Sequence, residues 1–130
     1  MPSAFINVDL EVESSESLDR LCRELVTAGA IVLYNDSIDN GFMATFEIED
    51  EESRNDPNSI IASFCRAINS LTEEAHSTWT RANRRVFDIG YESYLPEGAF
   101  NSDLTSEVIH QISKCGADLR ITIYQRSRKE

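Results

Sequence analysis

Six carboxylates crowd into FEIEDEESRND, residues 46–56, against a single arginine. Acid at that density can hold a cation, move protons, or present a charged surface to a partner. The neighbouring run fails as a calcium loop. Asp36, Asn40, Gly41 and Glu47 take the first, fifth, sixth and twelfth places of an EF-hand, but the third is Ile38, and the residues after Gly41 alternate where a helix should begin. Residues 50–56 add oxygens without a spacing that orders them round an ion. Asp88 and Glu92 form a second acidic pair, on a strand-like run, with acid–base chemistry within reach; continuation of one acidic surface explains them with fewer assumptions.

Other chemistry is thinner. His76 follows Glu73 and Glu74 on a polar surface, and His110 lies two residues from both Val108 and Ile112, which turns it off their apolar stripe. The chain has no H-x-x-x-H or C-x-x-C spacing for zinc, no G-x-S-x-G elbow, and no phosphate or dinucleotide glycine loop. Cys22, Cys65 and Cys115 share stripes with Leu, Ile and Phe, as small core residues do. The expectation is a non-enzymatic protein with no cofactor and no metal.

Charge is the stronger signal. The net −11 resides entirely in residues 1–56, where fourteen acids face three arginines; residues 57–130 hold nine acids and nine bases. Nucleic acid and anionic membrane are thereby disfavoured as partners, because phosphate binding needs clustered Lys and Arg. The 130 residues fit one domain, 1–130. With no apolar run long enough to span a bilayer, no leader pattern, and an odd, sparse set of cysteines, the expected location is the cytoplasm.

Positioning these residues falls to a small set of elements. FINVDLEVE, residues 5–13, alternates Ile6, Val8, Leu10 and Val12 with polar partners, which predicts a strand with one wet face. Ser14 and Ser15 then cap a helix carrying Leu18, Leu21, Cys22 and Leu25, stopped by Gly29. AIVLY, residues 30–34, is a strand; NDSIDNG is loop chemistry; Phe42 to Glu49 alternates again. Asp56-Pro57 opens a second helix, with a further helical segment from Thr72 carrying Trp79. Arg85 to Glu92 is a strand, SYLPEGAFNS a loop, Leu104 to Cys115 a helix, and Leu119, Ile121 and Ile123 mark a final strand.

The order β-α-β-β-α-β-α-β predicts an α+β fold, with a mixed or antiparallel sheet of about five strands and helices on one face: a ferredoxin-like core plus an added α-β. In such a core the third strand lies between the first and second. Asp9, Glu11 and Glu13 would then stand beside Glu47 and Glu49 on the face without helices. Like charges on neighbouring strands cost stability, a cost easier to understand if the face meets a basic partner.

A small acidic α+β domain with this pattern, including the run RRVFDIGYESYLPEGAFNSDLTSEVIHQISKCGADLRITIY, resembles the immunity proteins of bacterial contact-dependent growth inhibition and related toxin systems. The resemblance lies in the C-terminal half, in element patterns, and carries no functional residues with it. It implies a cognate toxin domain as a basic protein partner, neutralised by occlusion. The partner-binding residues expected on the charge pattern are Asp9, Glu11, Glu47 and Glu49, with Asp50, Glu51 and Glu52 as steering charge and Tyr34 and Tyr94 as anchors; aromatic loop residues and Trp79 are further anchor candidates. A small-molecule regulatory module, or an assembly unit that self-associates through sheet faces or edges, stays open as the alternative.

Overall fold

Strands and helices arise where the two periodicities place them. The computed structural model describes residues 3–49, 55–94 and 98–126, and the elements are β1 (Ala4–Ser14), α1 (Asp19–Thr27), β2 (Ala30–Ile38), β3 (Gly41–Ile48), α2 (Pro57–Asn69), α3 (Glu73–Arg81), β4 (Arg84–Tyr94), α4 (Ser106–Cys115) and β5 (Asp118–Arg126). They form an α+β fold around one mixed sheet, ordered β2-β3-β1-β4-β5. All neighbours are antiparallel except β4 and β5, which are parallel. Among the described residues, no helix is long and apolar enough to cross a membrane.

The alternate residues Val8, Leu10, Val12, Ala44, Phe46, Phe87 and Ile89 share one sheet face, and the helix stripes Leu21–Cys22–Leu25, Ile60–Ile61–Phe64–Cys65–Ile68 and Val108–Ile112 close over them in a single core. Burial of that alternating set fixes the registers, since a one-residue slip would exchange the two faces. Trp79 sits in this core, 1 % exposed, with Nε1 donating to the Cys115 carbonyl at 3.0 Å, and so is no surface anchor.

The further helical segment from Thr72 forms as α3: the Thr72 side chain caps it by accepting from Ala75 N–H, and its own N–H and hydroxyl donate to Glu24 of α1 at 2.9 and 2.7 Å. Several other local expectations change. Ser14 ends β1 instead of capping α1; its hydroxyl accepts from Glu16 N–H, and Ser17 accepts from Asp19 N–H. NDSIDNG is mostly strand, with Ile38 paired to Gly41 across a tight hairpin. A register shift between Phe5 and Asn7 turns Ile6 outward to 39 % exposure and packs Phe5 on the core. Asp56, with Pro57 behind it, does cap α2, accepting from Asn58 N–H at 3.0 Å, and Gly116 ends α4 at φ 77°.

Candidate functional site

The sheet face opposite the helices is where the acid gathers. Strand alternation sends Asn7, Asp9, Glu11 and Glu13 of β1 to this face, with Met43, Thr45 and Glu47 of β3, Arg84, Val86, Asp88 and Glu92 of β4, and Arg120, Thr122 and Tyr124 of β5. Glu11 pairs with Thr45 on one side and Val86 on the other, and Asp9 stands directly opposite Asp88. Glu47 lies near the end of β3 on the Asp9 side, and Glu49, expected as an outward strand residue, follows the strand one residue past its last position, Ile48. Asp50, Glu51 and Glu52 fall outside the described residues. Tyr34 is on the β2 edge of the same face, paired with Thr45 and 41 % exposed. Tyr94 is the last residue of β4, paired with Arg126, and so belongs to the strand and not to a loop.

Electrostatically the face divides. On the β4–β5 side, Arg120 bridges Glu11 at 2.7 Å and Asp88 at 2.8 Å, Arg84 meets Glu13 at 3.3 Å, and Arg126 meets Glu92 at 3.3 Å. Hydrogen bonds to Glu11 and then Asp88 hold the Arg120 guanidinium above its ordinary range. Asp88 also accepts from the Thr122 hydroxyl at 2.7 Å, so both its oxygens are engaged. On the β1–β3 side, by contrast, Asp9, Glu47 and Glu49 enter no ion pair among the described residues. Partial burial, followed by the charges of Glu47, Asp88 and Glu11, pushes Asp9 up to about 6, and Arg120 offsets this only in part. The Asn7 amide donates to it at 3.3 Å.

Asp88 and Glu92 do not converge: four residues along a strand separate them by about 13 Å, and each answers to its own arginine. Asp36 through Glu47 form a hairpin, without the helix that follows a calcium loop. No cluster of three metal-ligating side chains occurs among the described residues. Both histidines are exposed. Burial and then Asp19 push the Cys22 thiol to about 11, while the Cys115 contact and then burial raise Cys65 as well, so both stay protonated at neutral pH.

Charge asymmetry in the sequence pointed to the acidic side of this face and missed its arginine side. The signal for the latter was present: in DLRITIYQR, Asp118, Arg120, Thr122, Tyr124 and Arg126 alternate with Leu119, Ile121 and Ile123. Placing that alternation beside Asp88 required the strand order.

No protein-family model matches the chain, and comparison with curated proteins and with solved structures finds no match either.

Proposed function

We propose that the protein is a non-enzymatic binding protein of the immunity type, which neutralises a cognate basic toxin domain, a nuclease being the activity best suited, by covering its active site with the acid of the uncovered sheet face. The observation that carries the reading is the unbalanced acid at Asp9 and Glu47: a carboxylate raised to about 6 by burial and by neighbouring acid, facing Asp88 across the ladder. Like charges in cross-strand positions cost about 0.2–1 kcal/mol. A basic cleft laid on this face would remove that cost and hasten encounter, since complementary charge acts mainly on the association rate. Tyr34, exposed at the rim of the face, supplies an aromatic anchor. We place the protein in the cytoplasm, where the thiols remain reduced.

The test is co-expression with the C-terminal part of whatever protein the neighbouring upstream gene encodes, the reading requiring that this part be toxic on its own. Wild type should restore growth, and a variant with Asp9, Glu11, Glu47 and Glu49 changed to their amides should fold yet associate at least tenfold more slowly in 50 mM salt. Equal association and protection by the two proteins would remove the face from the account.

A second reading rests on a different observation. The strand order places β3 between β1 and β2, with β4 on the other side of β1, which suits a ferredoxin-like core extended by α4 and β5. A hollow lined by Tyr91, Phe100, Ser102, Ile121 and Ile123 would suit a small apolar ligand of a regulatory domain. Under this reading thermal stability should rise with a metabolite and not with a protein.

A further inference from the structure

The two ends of the sheet are unlike. β5 pairs with β4 in unbroken parallel register over nine positions, from Val86 with Asp118 to Tyr94 with Arg126, and among the described residues no strand pairs with its other edge. On the helix side, Leu119, Ile121 and Ile123 align with the core residues Phe87, Ile89 and Tyr91, yet remain 40, 56 and 60 % exposed because α4 does not reach over them. An open, regular, apolar edge strand is a template for another strand.

The sequence of β5 is self-complementary. Laid antiparallel on a second copy about Thr122, DLRITIYQR sets Asp118 against Arg126, Leu119 against Gln125, Arg120 against Tyr124 and Ile121 against Ile123, each twice by symmetry. Residues 118 and 126 share the outer face, and residues 121 and 123 the helix face, so opposite charges meet in water while isoleucines meet beneath the sheet. The same operation on β2, AIVLYNDSI, sets Val32 against Asp36 and Leu33 against Asn35. A register shift between Val32 and Tyr34 also bends that edge.

We propose that β5 is the seam of a two-fold dimer, with a second copy of this chain continuing the sheet through antiparallel β5–β5 pairing centred on Thr122. An isologous interface of this kind closes on itself, so assembly stops at two. The arrangement leaves β1 and β3 free and is independent of what the acidic face binds.

The experiment is sedimentation equilibrium on the wild-type chain and on charge-reversal variants, with circular dichroism to confirm that each is folded. Wild type should sediment at twice its 14.7 kDa. Asp118→Arg alone and Arg126→Asp alone, each creating two like-charge pairs across the seam, should weaken the dimer about tenfold. The double variant Asp118→Arg/Arg126→Asp restores both attractions and should return the dissociation constant to within threefold of wild type, even though the intrachain Arg126–Glu92 pair is lost. Ile121→Lys should leave a monomer. A monomeric wild type, growth past the dimer through β5 and β2, or a double variant no tighter than the singles would overturn the proposal.

Discussion

The β4–β5 half of the uncovered face and its β1–β3 half carry similar acid and treat it in opposite ways. Glu11 and Glu13, on the flank of β1 that faces β4, and Asp88 and Glu92 of β4 each contact an arginine, whereas Asp9, Glu47 and Glu49 have none among the described residues. The first half is an internally balanced network, in which removing a cation exposes what it held together. The second stores repulsion, so removing an anion should help. A surface kept only for solubility needs no such concentration of uncompensated charge on adjacent strands. That difference supports reading the β1–β3 half as the part that meets a partner.

The largest effect is expected inside the β1–β3 half, at the contact that holds its two strands together. Gly41 opens β3 at φ 150°, and a Cβ there would run into the Ser14 carbonyl at the end of β1. Gly41→Ala should therefore force the hairpin off β1 and cost about 2 kcal/mol or more, seen as an earlier urea midpoint with weakened amide protection in β2 and β3. Next, Arg120→Ala strips the bridge from Glu11 and Asp88, whose side chains are 24 and 16 % exposed. The expected loss is about 1–2 kcal/mol, between the exposed and buried limits for ion pairs.

Asp9→Asn should act in the opposite direction. The folded carboxyl, at about 6, holds its proton more tightly than an unfolded aspartate with its ordinary value of 3.8. Its contribution to stability is present in full below pH 4 and is lost as pH rises through 6. The variant should match wild type near pH 4 and exceed it at pH 7 by about 0.2–1 kcal/mol. That corresponds to a Tm raised by about 1–5 °C, and a scan over pH 4–7 checks both sign and window. The smallest effect should come from Arg84→Ala, whose pair with Glu13 is 46 and 31 % exposed. A loss below about 0.5 kcal/mol is expected there, and a larger one would show that the balanced half extends to the end of the sheet.

Much of the fold was legible in the chain. Alternation in β1, β3 and β4, the Asp56-Pro57 start of α2 and the glycine stop of α4 are local signals, and a strand or helix answers to its own periodicity. The misread points have local causes with distant settings. Ile6 faces outward because a bulge, set by pairing with β4, breaks the alternation that Val8, Leu10 and Val12 obey. NDSIDNG reads as loop by composition and is held as strand by its partner β3. Of the candidate site, the carboxylates were visible as charge, but their division into paired and unpaired groups was not.

The sequence alone determined the α+β class, the apolar stripes, the concentration of acid before residue 57 and the lack of ordered metal or nucleophile spacing, because each depends on residue type and near neighbours. Only the tertiary structure decided which acids are neutralised and which are left. Arg120 reaches Asp88 and Glu11, 32 and 109 residues away in sequence, because β5 crosses over to lie parallel beside β4 while β1 lies antiparallel on its other side. Charges that far apart along the chain interact only after the sheet has brought them within a few ångströms, since water and salt screen them at longer range.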